Sequence, residues 1–206
     1  MSRQAALSAL TVAIFLIGAW NLQSTSQAAA DSTVSKAYFA GGCFWCMEEA
    51  FEKVEGVLSA TSGYMGGKVA NPSYEEVSAG RTGHAESVEV VYAPAKVSYQ
   101  KLLDAFWRNV DPITPNAQFC DHGSQYRSAV FVQTDEEKRA ADTSKQVIEQ
   151  SKRFTELIVT QIVLAPPFYP AEEYHQDFYK KNPIRYKLYK YNCGRAKRLE
   201  ELWGKP

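Results

Sequence analysis

The stretch that most constrains this chain is Gly41-Gly42-Cys43-Phe44-Trp45-Cys46-Met47-Glu48-Glu49-Ala50-Phe51. Before it, Ala37-Tyr38-Phe39-Ala40 reads as a short apolar strand, and from it Phe44, Met47, Phe51 and Val54 recur at helical spacing. Cys43 therefore sits where a strand turns, through two glycines that permit a sharp bend, into the start of a helix. The free N–H groups and the dipole of a helix N-terminus favour a thiolate. Such a position lowers a thiol from ~8.5 to roughly 3.5–7.5. Phe44 and Trp45 set two aromatic rings beside the sulfur, which suits a small apolar group carrying a polar reacting atom. Against this stands the common role of cysteine as a small buried hydrophobe. The glycine pair, the helix start and the aromatics together favour chemistry.

The rest of the chain alternates strand and helix. Val57 to Tyr64 reads as a strand ending in the turn Met65-Gly66-Gly67. Asn71-Pro72-Ser73-Tyr74-Glu75-Glu76-Val77 reads as a turn entering a short helix, with Ser73 and Glu76 as a capping box. Ser87 to Tyr92 has strand character, with Val88, Val90 and Tyr92 on one face. Ser98 caps a helix expected to run through Val110. Residues 111–123 form a loop, and Tyr126 to Gln133 a strand. Thr134 to Glu137 form a second capping box, opening a polar helix to about Phe154. Ile158 to Leu164 is a strand, Ala171 to Lys181 a helix, and residues 183–206 a tyrosine-rich tail with a helical end at Ala196 to Trp203. This order implies an α/β (α+β) sandwich around a small central sheet.

Length and charge narrow the function. A chain of 206 residues with formal net charge +0 and 45% hydrophobic residues is long enough for one domain with a real core. Balanced charge argues against nucleic acid or an anionic membrane as the main partner. Residues 1–30 stand apart: Arg3, the apolar run Ala9 to Trp20, and Ala28-Ala29-Ala30 follow the order of a secretory signal peptide cleaved after Ala30. That reading makes 31–206 the mature domain and places it in the periplasm or outside the cell, where cysteines readily pair.

Two further clusters could carry chemistry. Glu86, in Gly83-His84-Ala85-Glu86, opens a strand; facing an aromatic pocket, its carboxyl would be held neutral by desolvation and could donate a proton. Asp121-His122-Gly123-Ser124-Gln125-Tyr126-Arg127 is a dense polar run entering a strand, equally readable as turn chemistry. Cys43 and Cys46 are half of a four-cysteine zinc pattern, but Cys120 and Cys193 stand far apart and no histidine completes the set, so no metal is expected.

Taken together, Gly41 to Trp45, Gly63-Tyr64-Met65-Gly66-Gly67, Asn71 to Tyr74, Gly83 to Glu86 and Asp121 to Ala129 make the chain resemble the A-type peptide-methionine sulfoxide reductases. The resemblance covers roughly Lys36 to Pro183. It implies a ferredoxin-like two-layer sandwich with a central mixed sheet and, from Pro183, a long irregular C-terminal tail. It implies reduction of the S-epimer of methionine sulfoxide, free or in proteins, by a monomer without cofactor that a thioredoxin-like donor recycles. Carried over, Cys43 is the nucleophile and Phe44 and Trp45 are the wall for the substrate methyl. Glu86 is the acid, Tyr74 and Tyr126 hydrogen-bond the sulfoxide oxygen, and Asp121 assists. The first-choice resolving thiol is Cys193, the second Cys46 and the third Cys120.

Two other readings remain at this point. One is a secreted binding domain with Cys43–Cys46 and Cys120–Cys193 as structural bridges. The other is a thiol–disulfide oxidoreductase using the Cys43/Cys46 pair alone.

Overall fold

A computed structural model describes residues 34–205, so the leader read at residues 1–30 lies outside the described residues. The elements are β1 (Ser35–Gly41), α1 (Phe44–Glu52), β2 (Val57–Met65), α2 (Tyr74–Ser78), β3 (Ala85–Tyr92), α3 (Tyr99–Trp107), β4 (Ala117–Gln118), β5 (Asp121–His122), β6 (Ser128–Val132), α4 (Asp135–Gln150), β7 (Gln161–Leu164), β8 (Tyr169–Pro170), α5 (Phe178–Lys181), α6 (Pro183–Asn192) and α7 (Arg195–Trp203). The main sheet has the order β7-β6-β1-β3-β2-β8. Strand β3 lies antiparallel between β1 and β2, and β6 lies antiparallel on the other side of β1. With α1 and α3 as crossovers, these four strands form the β-α-β-β-α-β unit of a ferredoxin-like fold. Strand β7 joins β6 in parallel and makes the sheet mixed, as expected.

The period of two along each strand divides the core. Ala37, Phe39, Val88, Val90, Val130 and Val132 face the helical layer, where Met47, Phe51, Leu102, Leu103 and Phe106 meet them. Burying one such side chain contributes about 1.5–3 kcal/mol. On the opposite face Ala40, Met65, Ala85, Ala129 and Phe131 are covered by Phe168 and its neighbours. Alternation along β3 puts Glu86 on the helical face with Val88 and Val90, beneath the start of α1.

Local signals held where side chains stay local. Ser73 and Glu76 form the reciprocal capping box of α2. Ser98 accepts from the Lys101 N–H and caps α3. At α4 only half the expected box is present: Thr134 accepts from the Glu137 N–H, but the Glu137 carboxylate takes the Gln133 N–H at 2.7 Å instead.

Helix ends moved where tertiary bonds intervene. Helix α3 stops at Trp107, and the Asn109 side chain donates to the Ala105 carbonyl. Helix α4 stops at Gln150, short of Phe154, with Lys152 at a left-handed φ of 53°. Strand β7 begins at Gln161, not Ile158. The single helix expected from Ala171 to Lys181 is broken. A tight turn covers Glu173–His175, Asp177 takes a φ of 53°, and only Phe178–Lys181 is α-helical. The break has a cause: buried Glu48 accepts from the Asp177 N–H at 2.7 Å, and the Gln176 side chain pairs with both backbone groups of Ser62. The largest departure is the tail. Expected to be irregular from Pro183 up to a helical end at Ala196 to Trp203, it forms a further helix, α6, with Pro183 in the first turn; Gly194 in the left-handed region separates it from α7, which matches the expected helical end.

Candidate active site

Gly42 sets the geometry. Its φ is 77°, and a Cβ there would lie 2.4 Å from Gln118 Cβ, so only glycine carries β1 into α1 at this point. Cys43 is then the N-cap of α1, with its side chain making no cap hydrogen bond. The Phe44 N–H, the first amide of the helix, donates to Glu86 Oε2 at 3.0 Å. The free donor expected to serve the sulfur thus serves the carboxylate.

Cys43, Phe44, Trp45, Tyr74, Glu86, Asp121 and Tyr126 all line one open hollow of about 70 Å³. Every side chain named from the sequence as nucleophile, acid, wall or donor is there. Tyr189 lines it too and was missed. Its hydroxyl donates to Asp121 Oδ2, and beside Cys43 in the hollow it pulls that thiol down. Tyr186 and Tyr189 share a face of α6 with Cys193, a spacing that could have flagged them had the tail been read as helical. Glu172 was also missed: it accepts from the Tyr64 hydroxyl at 2.7 Å and the Tyr74 N–H at 2.8 Å, holding the start of α2 against the hollow. His84 bonds the Gly67 N–H and the Val69 carbonyl and serves the turn.

The indole of Trp45 is fixed on three sides. It stacks on Phe178 with centroids 3.7 Å apart and 8° between planes, meets Tyr189 edge-on, and donates its N–H to His175 Nδ1 at 3.1 Å. Phe44 completes the aromatic wall, 6.2 Å from Trp45.

Charge is set mainly by burial. Glu86, 3% exposed, is pushed up to about 8 by burial, against the pull of the Phe44 N–H and with the help of nearby Asp121. It is therefore a neutral acid at pH 7. Burial raises Asp121 as well, while the Tyr189 hydroxyl and Arg195 pull it down. Burial pushes Tyr74 up to about 12 and raises Tyr126, so both hydroxyls stay protonated donors.

The thiols depart from expectation. Cys43, 4% exposed, is raised well above its ordinary value by burial, by its bond to Cys46 and by Glu86. Burial outweighs the helix terminus, so an ionised Cys43 is not the resting state. Cys46, buried in one cluster with Cys43, is pulled below the ordinary thiol range, first by Cys43 and then by Arg195, Tyr186 and Lys190. The two opposite directions favour the charge of the pair on Cys46 over Cys43. Both cysteines are free. Cys193, the first-choice resolving thiol, is already bonded to Cys120, so only one of the two bridges of the scaffold reading is present. That bridge ties the end of α6 to the hairpin carrying Asp121.

The chain matches the family model described as peptide methionine sulfoxide reductase over residues 35–206. It is 46% identical over 175 residues to the peptide methionine sulfoxide reductase MsrA of Halalkalibacterium halodurans, covering 85% of this chain and 99% of that one. Among solved structures it is similar to Mxr1 of Saccharomyces cerevisiae in reduced form, with TM-score 0.69 and 33% identity, covering 74% of this chain and 88% of that one. It is also similar to Mxr1 of the same yeast in complex with Trx2, with TM-score 0.50 and 25% identity, covering 72% of this chain and 86% of that one.

Proposed function

The chain belongs to the peptide methionine sulfoxide reductase family, and from that premise we propose which residues carry the reaction and in what order. It is a peptide-methionine (S)-S-oxide reductase: thiol electrons return the sulfoxide to methionine, and the disulfide left behind is recycled by a thioredoxin-type dithiol.

In our assignment the substrate methyl lies against Phe44 and Trp45, and its oxygen faces Glu86, Tyr74 and Tyr126. A sulfoxide sulfur is a poor electrophile until its oxygen is protonated or strongly hydrogen-bonded. Neutral Glu86 gives its proton to that oxygen, and the two phenols donate to it. Cys43 passes its proton to Cys46 and attacks the sulfur. The oxygen ends on Cys43 as a sulfenic acid, the substrate gains two electrons and leaves as the thioether, and no other reductant enters this step. The observation that carries this reading is the convergence of Cys43, a neutral Glu86 and two protonated tyrosines on one hollow beside the indole.

Cys46 resolves the sulfenic acid in the redox state seen here. It is free and buried in one cluster with Cys43, whereas Cys193 is held by Cys120. Attack by Cys46 forms Cys43–Cys46 and releases the oxygen as water. The Cys120–Cys193 pair, with Cys120 exposed, is the outer couple: once an external dithiol reduces it, Cys193 attacks the inner bridge and carries electrons inward. Mass spectrometric mapping after one turnover tests the order. A Cys43–Cys46 bridge beside an unchanged Cys120–Cys193 bridge is expected, and a Cys43–Cys193 bridge would overturn it.

The leader-like order of residues 1–30 supports export and cleavage after Ala30, and an oxidising compartment suits the outer bridge. No helix among the described residues is long and apolar enough to cross a membrane. All the side chains assigned to the hollow come from one sequence, so the state we propose for the working enzyme is a monomer. Cell fractionation, the N-terminal mass of the recovered protein and its mass in solution test these points. Cytoplasmic protein retaining residues 1–30, or a dimer, would contradict them.

A further inference from the structure

We propose that His175 is a positioning residue for substrate binding, holding the Trp45 indole at the angle that makes it a methyl-binding wall. The proposal rests on the reading of Trp45 as that wall. Indole N–H is only a donor, so the bond from Trp45 Nε1 at 3.1 Å requires His175 Nδ1 to be the acceptor and fixes the ring proton on Nε2. A protonated imidazole has no acceptor to offer, so the bond exists only with the neutral ring; burial lowers the pKa of His175 and favours that form.

The geometry explains why the bond matters. The stack on Phe178 fixes the plane of the indole, but a ring stacked at 3.7 Å and 8° can still turn within that plane. The N–H to Nδ1 bond, made at the edge of the ring, stops the turn. The same imidazole packs on Phe44 with centroids 4.9 Å apart and on Tyr74 at 4.4 Å. One buried ring thus backs two aromatic walls and one oxygen donor of the hollow without lining the hollow itself.

A second observation sets His175 apart. It is 2% exposed, and its Nε2 is one of two buried side-chain polar atoms among the described residues that have no hydrogen-bond partner. A buried donor left unpaired is unfavourable, so packing alone would be better served by an apolar ring. What phenylalanine cannot supply is an acceptor for the indole.

The test compares His175→Phe with His175→Asn, whose amide oxygen can stand near the Nδ1 position, alone and combined with Trp45→Phe. Each is assayed with a methyl sulfoxide for KM and for the single-turnover rate at saturation, and each is scanned by nuclear magnetic resonance for the Trp45 indole N–H. We expect H175F to raise KM about three- to tenfold, the range of one lost hydrogen bond, with a smaller change in the saturated rate. The Trp45 indole proton should move upfield, H175N should restore both readouts, and H175F should add nothing in a W45F background.

If W45F raises KM but H175F does not, the positioning role fails while the wall stands. If W45F leaves KM unchanged, the wall reading fails and this inference with it. Equal harm from H175F and H175N, persisting in W45F, would mean that His175 only supports the fold and would overturn the proposal. Should H175F not fold, an H175N indole shift and KM unlike wild type would overturn it, and wild-type values would sustain it.

Discussion

Moving the pH from 7 to 9 should switch off the first chemical step. Glu86 titrates at about 8 because it is buried, so about 90% of it holds the proton at pH 7 and about 9% at pH 9, a loss of the acid of about tenfold. On the other side, the Cys43/Cys46 pair must lose a proton before it can attack, and Cys46, pulled down by Cys43 and Arg195, loses it below the ordinary thiol range. The two limbs give a bell whose alkaline side is set by Glu86. Glu86→Gln keeps a carbonyl oxygen for the Phe44 N–H but has no proton to give. It should lower the plateau by about 10²-fold or more and erase the alkaline limb, leaving the acid limb in place. The assay is rapid-quench single turnover at substoichiometric sulfoxide, with methionine counted by chromatography between pH 5 and 9.5. A wild-type rate that stays flat or climbs from pH 7 to 9, or an E86Q enzyme that keeps the alkaline limb, would refute the assignment of Glu86 as the acid.

The same carboxyl has an effect on stability, measured by denaturant unfolding at pH 5 and pH 8. Its folded value of about 8 lies above the ordinary 4.5, so between those values the folded chain holds a proton that the unfolded chain releases. Stability is lost as pH rises through that window, and E86Q should be the more stable protein at pH 8 by up to roughly 4 kcal/mol. Tyr189→Phe removes a hydroxyl that donates to Asp121 and pulls Cys43 down. Because that hydroxyl lowers Cys43, its loss should leave the attacking thiol harder to ionise, and the pH 7 rate should fall about three- to tenfold, as read by thiol alkylation and the same single-turnover assay.

The core and most of the site were legible because they rest on short-range signals. A period of two along β3 sufficed to put Glu86 with Val88 and Val90, and the glycine pair sufficed to put Cys43 at the start of α1. What was not legible depends on partners far along the chain. The ionised Cys43 inferred from the helix terminus ignored Glu86, which takes the first helix amide from 42 residues away. The helix across residues 171–181 looked continuous because nothing local announces that Glu48 and Ser62 claim Asp177 and Gln176. The tail looked irregular because its tyrosines and lysines fall on all sides of α6, so no apolar stripe stands out, and the inward face of Tyr186 and Tyr189 is defined only by the cysteines it covers. His175 carried no motif; its place behind Trp45 is a tertiary fact.

The most direct test of the central claim is to trap the first product. In a Cys46→Ser, Cys120→Ser, Cys193→Ser protein, one equivalent of the S-sulfoxide should yield one equivalent of methionine and one dimedone adduct, located by mass spectrometry on the peptide that holds Cys43. Methionine formed without an adduct at Cys43, or an adduct formed equally in an added Glu86→Gln background at the same rate, would contradict it.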